Sequence, residues 1–288
     1  MHGNKCKVLI GCLFFKSFTG SELYVYELAR NLVKLDCDVT VASPYVGGEI
    51  TDLAILNGVR VVNISALSRE HYDVIHTQHK PITNFLVNKF PSIKKISSIH
   101  SEIIALEEPV IHESIKHYIA IRPQIKEFLI EKHNVPCNKI SVIYNPIDEE
   151  RFKVVNVENH NSVLFVGTLD YLRKNAIFDL IDYSKKRKMD FWLIGENNDD
   201  YLNEILQHEH VRYSKPVSDV EKYFQRCNET AGILLGRTTI EGWMCGKSGW
   251  IYNVNESGKI LGKELHHPPN DIRKFFSSEV ARRIRELY

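Results

Sequence analysis

Leu235-Gly236-Arg237-Thr238-Thr239-Ile240-Glu241-Gly242-Trp243-Met244-Cys245-Gly246 decides how the chain is read. The apolar run from Ala231 to Leu235 has the character of a parallel strand buried on both faces. Gly236 permits an abrupt turn, and Thr238 or Thr239 then caps a helix with Glu241 in or near its first turn. A strand, a tight turn and a helix start together make an anion site, because free backbone N–H groups and the positive end of the helix dipole meet there. Arg237 adds a fixed positive charge. A glutamate beside such a site repels phosphate but accepts hydrogen bonds from hydroxyls, as on a ribose. The stretch therefore suits a nucleoside diphosphate, and equally an ordinary strand–helix turn with an Arg and a Glu at its surface.

Working outward, 288 residues are enough for two α/β domains. Hydrophobic residues at 43% and charged ones at 25% give a globular composition. The net charge of +1 gives no support to a bulk nucleic-acid binder, although it leaves room for local basic patches. Six cysteines include no C-x-x-C pair and read as reduced, buried thiols of a cytoplasmic protein. The apolar run Val8 to Phe15 is short, lacks a small-residue cleavage site and is followed by Lys16, which favours a first core strand over a signal peptide. No stretch approaches the roughly 20 apolar residues of a spanning helix.

Strand and helix patterns alternate along the first half. The strand Lys7 to Phe15 leads through Ser17–Glu22, a turn and cap, into a helix from about Ser21 to Leu35. Strands follow at Asp38–Ser43, Val59–Ile64, Asp73–His79, Lys94–Ile99, Tyr118–Ile121 and Lys139–Tyr144. Ligands of a doubly wound parallel sheet lie beyond the strand carboxyl ends. That rule selects the Phe18–Glu22 loop, where Gly20 allows close approach, and His100, which ends a strand. His100 equally suits a structural histidine bonded to backbone. His76 and His79 point to opposite sides of an extended chain, so a metal is not expected.

Pro146 and the polar stretch Val155 to Ser162 mark a boundary, giving domains 1–150 and 151–288. The second half alternates again: strands at Ser162–Val166, Asp190–Ile194, Val211–Ser214, Ala231–Leu235 and Gly249–Val254. Arg173 and Lys174 fall in a polar loop, Thr168–Asn175, after the first of these, and Arg237 after the fourth. Three cations and a helix start on one sheet rim fit a diphosphate held while its charge grows. Ser218 and Glu221 have capping-box spacing. The tail from Asp271 to Tyr288 reads as one or two helices, basic at Arg282, Arg283 and Arg285, which suits a helix C-terminus and offers a weak membrane contact.

In order, these segments resemble the retaining family 4 type of GT-B glycosyltransferase. Thr19-Gly20-Ser21-Glu22 with Tyr26-Glu27-Leu28-Ala29 resembles the family's glycine loop and helix. Asp73-Val74-Ile75-His76 is similar to its fourth-strand motif, and Tyr144-Asn145-Pro146-Ile147-Asp148 with Arg151-Phe152 to its interdomain segment. Val166-Gly167-Thr168-Leu169 and Arg173-Lys174-Asn175 look like the phosphate-clamp loop, Leu193-Ile194-Gly195-Glu196 like the next strand, and Glu241-Gly242-Trp243-Met244-Cys245-Gly246 like the second half of the signature.

The resemblance implies two Rossmann-like domains facing a cleft, with a C-terminal helix in the second. It implies a retaining, metal-independent transfer of a sugar from a nucleotide-diphosphate sugar to an acceptor hydroxyl, with no cofactor. Glu241 would bind the ribose, Arg173 and Lys174 would neutralise the diphosphate, and Gly20 would let backbone approach phosphate or acceptor. His100 would touch the donor sugar, with Gly167, Thr168, Thr238 and Thr239 lining the donor site. Two positions depart from the pattern: Ile233 stands where the family has an earlier glutamate, and Thr168 where it usually has an arginine, a charge that Arg237 would replace. A glycan, lipid, protein, small molecule or nucleic-acid base all fit as acceptor. An epimerase or phosphorylase of the same fold, or a non-catalytic nucleotide-sugar binder, stays open.

Overall fold

The computed structural model describes residues 5–68 and 70–288. They form two units, one running up to residue 146 and taking in 274–288, the other residues 147–273.

The first unit is built on a seven-stranded sheet, every neighbouring pair parallel: β1 (Cys6–Gly11), β2 (Cys37–Ser43), β3 (Arg60–Asn63), β4 (Val74–Thr77), β5 (Lys95–Ile99), β6 (Ile115–Ala120) and β7 (Ile140–Val142). Their order is β3-β2-β1-β4-β5-β6-β7. The crossovers include α1 (Gly20–Lys34), α2 (Gly48–Leu56), α3 (Lys80–Lys89) and α4 (Pro123–His133). Val8, Leu9, Ile10, Val39, Val41, Val74 and Ile75 are all buried, because helices cover both faces of the sheet. The expected single strand from Lys7 to Phe15 stops at Gly11; Phe14–Phe15 leaves the sheet and pairs instead with Tyr45–Val46. At the start of α1 the buried Glu22 carboxylate reaches back. It accepts the N–H groups of Lys16 (2.8 Å), Ser17 (3.0 Å) and Thr19 (3.3 Å) and the Thr19 hydroxyl (2.6 Å), closing the capping arrangement.

The second unit has the order β10-β9-β8-β11-β12-β13, where β8 is Ser162–Val166, β9 Asp190–Ile194, β10 Val211–Ser214, β11 Glu229–Ile233, β12 Ser248–Val254 and β13 Ile260–His266. The edge strand β13 runs antiparallel to β12 and carries none of the continuous apolar pattern that marks the others. Four helices are α5 (Tyr171–Arg187), α6 (Leu202–Ile205), α7 (Glu221–Arg226) and α8 (Arg237–Met244). Ser218 does not cap α7, because the Glu221 carboxylate is drawn to Arg151 (2.6 Å) and the Ser218 carbonyl accepts from the same guanidinium (2.7 Å).

The last helix, α9 (Ser277–Arg285), was expected in the second domain and belongs to the first unit. Val280, Ala281 and Ile284 share one core with Val8, Leu28, Ala29 and Leu32, and Asn31 Nδ2 donates to Ser277 Oγ at 3.0 Å. The Arg282 guanidinium pairs with Glu279 at 2.7 Å, and Arg283 donates to the Val142 carbonyl at 3.2 Å. All six cysteines are free thiols; Cys137 is exposed and Cys6 half-buried, against the expectation that all are buried. No helix among the described residues is long and apolar enough to cross a membrane.

Because Ile284 is fully buried in the first unit's core, Ile284→Ala should lower stability by about 3 kcal/mol. Urea unfolding of the variant measures it; a loss under about 1 kcal/mol would show that α9 contributes little there.

Candidate functional site

In the second unit the sheet reverses its winding between β8 and β11, and those strands end side by side. A doubly wound sheet opens its ligand crevice at such a point. After β8 the chain runs through Gly167 and Thr168 to Asp170, whose side chain caps α5 by accepting the Arg173 N–H at 3.1 Å. Arg173 and Lys174 are therefore in the first turn of α5, not in a loop as the sequence suggested, because the Asp170 cap starts the helix early. The Arg173 guanidinium returns to pair with the Asp170 carboxylate. A methyl group placed on Gly167 would come within 3.3 Å of Arg173 Nε, so the guanidinium lies against the turn. Lys174 Nζ stands 5.1 Å above the Tyr201 ring, and the Tyr201 hydroxyl donates to the Asp170 carbonyl at 3.2 Å.

The loops after β8 and β9 are joined through Gly167 N–H to Ile194 O (2.9 Å) and Leu169 N–H to Glu196 O (2.8 Å). Gly195 makes this fit possible: a Cβ there would lie 1.9 Å from the Gly167 carbonyl oxygen.

Across the switch point β11 ends at Ile233, and the abrupt turn falls on Leu234 (φ 56°) rather than on Gly236. The Leu234 N–H is held by the Tyr252 carbonyl at 2.8 Å, which keeps this residue in the left-handed region. Gly236 is the N-cap of α8, so Thr238 and Thr239 lie inside its first turn instead of capping it. The Thr238 hydroxyl donates to the Val166 carbonyl at 3.0 Å and ties the start of α8 to the end of β8. Thr239 is buried.

Glu241 lies one turn into α8, buried to 4% exposure, and accepts from Arg237 Nε at 2.6 Å, an (i, i+4) pair. Burial pushes its carboxyl above the usual range, while the Arg237 and Arg151 charges pull it back. Arg237, expected beside phosphate, is thus bonded to the residue expected beside ribose. Gly242 lets the helix sit on the sheet, since a Cβ there would lie 2.6 Å from Thr230 Oγ1. The helix ends at Cys245 with Gly246 in the left-handed region (φ 77°), the expected Cys-Gly turn.

In the first unit the switch point lies between β1 and β4. Gly20, the first residue of α1, is exposed, and a Cβ there would meet nothing within 4 Å. Nothing in its own fold demands glycine. His100 follows β5 and is half-buried; its backbone N–H donates to Glu107 at 3.2 Å and its ring packs against Tyr24 at 4.7 Å between centroids. The ring Nε2 has no hydrogen-bond partner among the described residues. Burial pushes the His100 imidazole down to about 4, with Glu107 opposing and His79 and Arg122 adding to the shift. His76 is a core histidine, bonded to Ser98 Oγ and Tyr288 OH, both at 2.8 Å. Among the described residues, no group of three or more His, Cys, Asp or Glu is placed to hold a metal.

The sequence-selected residues thus gather in two places. Gly167, Thr168, Arg173, Lys174, Arg237, Thr238, Thr239 and Glu241 surround the switch point of the second unit. Gly20 and His100 lie at strand carboxyl ends of the first. Sequence reasoning missed Asp170, legible as a helix cap three residues before Arg173, and Glu107, for which the sequence offered no signal.

Residues 18–151 match the family model described as Glycosyltransferase Family 4. A glycosyltransferase from Rickettsia africae is similar in fold at a TM-score of 0.67 and 15% identity, covering 99% of this chain and 88% of that one. Anabaena HepE in complex with UDP-glucose superposes at a TM-score of 0.70 and 15% identity, covering 97% and 89%. No curated protein matches the sequence. The architecture is GT-B, two Rossmann-like domains.

A histidine held neutral by burial resists protons that the unfolded chain accepts. Stability carried by His100 should therefore be complete above pH 6.5 and lost as pH falls from 6.5 to about 4. His100→Gln should show a shallower loss over that window in urea unfolding; a slope equal to wild type would contradict the neutral assignment.

Proposed function

We propose that this chain, a GT-B glycosyltransferase of the family 4 type, moves a sugar from a nucleotide-diphosphate donor to an acceptor hydroxyl with retention of configuration and without a metal. The observation that carries the reading is the closure of α8 onto β8 through the Thr238–Val166 bond at the winding reversal of the second sheet. It brings the amide N–H groups of an eight-residue helix to the same turn as Gly167 and Arg173. Anions are stabilised at helix starts, and a fixed cation beside one strengthens the effect.

In this reading the donor diphosphate lies at the Gly167–Thr168 turn, with Arg173 and Lys174 meeting the charge that grows as the glycosidic bond breaks. Glu241, already oriented by Arg237, accepts the ribose hydroxyls, and Thr239 supports that turn. The departing phosphate takes the acceptor proton as the hydroxyl attacks on the same face. Gly20 gives backbone access to phosphate or acceptor, and His100, neutral at pH 7, offers Nε2 to a sugar hydroxyl. UDP-sugars are the first donors to test, because HepE was crystallised with UDP-glucose.

Ile233, standing where the family has a glutamate, favours a second reading: a non-catalytic nucleotide-sugar binder. Donor hydrolysis above background that disappears in Lys174→Ala separates the two.

Arg173→Ala and Lys174→Ala should each lower kcat by roughly 10²-fold, the scale of losing one electrostatic stabiliser. Near wild-type turnover in both would remove the clamp. Glu241→Gln should weaken UDP binding by roughly tenfold or more, as expected for a lost charge-assisted hydrogen bond. Calorimetry with unchanged affinity would contradict the ribose assignment.

A further inference from the structure

Strands β1, β4 and β5 end side by side in the first unit, and three residues beyond their ends are joined. The Leu13 N–H donates to His79 Nδ1 at 3.2 Å. An imidazole nitrogen that accepts a bond carries no proton, so the neutral ring of His79 holds its proton on Nε2. That nitrogen faces Glu107 Oε1 at 3.3 Å. The other oxygen of the same carboxylate accepts the His100 N–H at 3.2 Å. His79 and Glu107 are 4% and 5% exposed, so the bridge is shielded from water.

The backbone shows that the ring is held in place. His79 has φ 65° and ψ 126°, a conformation that a side chain with a Cβ adopts only under constraint. Its carbonyl is fixed as well, accepting the Thr83 N–H and hydroxyl, both at 3.0 Å. On the far side of His100 the Tyr24 ring meets the imidazole edge to face, and the Tyr24 hydroxyl is bonded to Ser98 Oγ at 2.8 Å. His100 is therefore gripped through its backbone by Glu107 and through its ring by Tyr24, while Nε2 is left without a partner among the described residues.

We infer that His79 and Glu107 are positioning residues for His100: the Leu13–His79–Glu107–His100 bridge fixes the strand end that carries the imidazole. The inference rests on the transferase reading for its kinetic consequence only. The bridge replaces one carboxylate's hydration with two fixed donors, so its charge is spent on geometry rather than on contact with substrate. The same bridge fixes Leu13, at the end of β1.

The test is a double-mutant cycle of Glu107→Gln and His100→Ala, read by kcat and donor KM for UDP-sugar turnover. Glu107→Gln keeps an acceptor for the His100 N–H but presents a donor or a misplaced oxygen to His79. It should lower kcat by roughly tenfold, the scale of a small misplacement, with donor KM little changed. In the His100→Ala background the same substitution should change kcat by less than about twofold. A wild-type kcat for Glu107→Gln, or an undiminished loss in the His100→Ala background, overturns the inference.

Should the wild-type chain turn over no donor, the transferase reading fails and the bridge is still read by histidine side-chain NMR. His79 Nδ1 should be unprotonated, and Glu107→Gln should shift the His100 ring signals. Unchanged His100 signals overturn the bridge. If Glu107→Gln does not fold, His79→Asn replaces it with the same two readouts and the same criteria.

Discussion

A strand cannot return beside its parallel neighbour by a hairpin; the chain must first travel back across the sheet, usually as a helix. Every such crossover brings a strand carboxyl end and a helix N-terminus to the same edge. In the second unit this constraint alone sets Gly167, the start of α5 and the start of α8 on one rim. Where the winding reverses, no crossover fills the gap between β8 and β11, and the Thr238–Val166 bond spans it instead. The chemistry of Arg173 and Lys174 with Glu241 depends on this edge, because the two cations are distant from the glutamate in sequence and share a rim only through the sheet.

The second theme is the buried carboxylate as a local organiser. Glu22 gathers the Lys16–Thr19 turn ahead of Gly20, Glu107 joins two histidine-bearing strand ends, and Glu241 is paired within α8. A buried charge is costly unless it is bonded or paired. Each of these three has a partner, and each lies at a strand carboxyl edge or a helix start, where the surrounding N–H groups already favour negative charge.

Much of this was legible in the sequence because strands buried on both faces write themselves as unbroken apolar runs. Ser162–Val166 and Asp190–Ile194 were read to the residue. Other features had no local signal. Strand β13 is largely exposed and alternates poorly, so nothing separated it from loop. The place of α9 depends on contacts between Asn31 and Ser277, far beyond the reach of any periodicity. The Arg237–Glu241 pair has the four-residue spacing of a helix contact, but that spacing does not separate two residues paired with each other from two that each meet a ligand. The capping-box spacing at Ser218 misled because a third residue, Arg151, took the glutamate.

The assignment of α9 has a consequence for biogenesis. The core that contains Val8, Leu28 and Leu32 is completed by Val280, Ala281 and Ile284, which leave the ribosome only after all of residues 147–273. Vectorial synthesis would ordinarily let the leading domain mature first. Here the second unit is complete in sequence earlier, and the first waits with an uncovered α1 flank until α9 has been made. During that interval the nascent chain exposes apolar surface that a ribosome-associated chaperone is suited to shield.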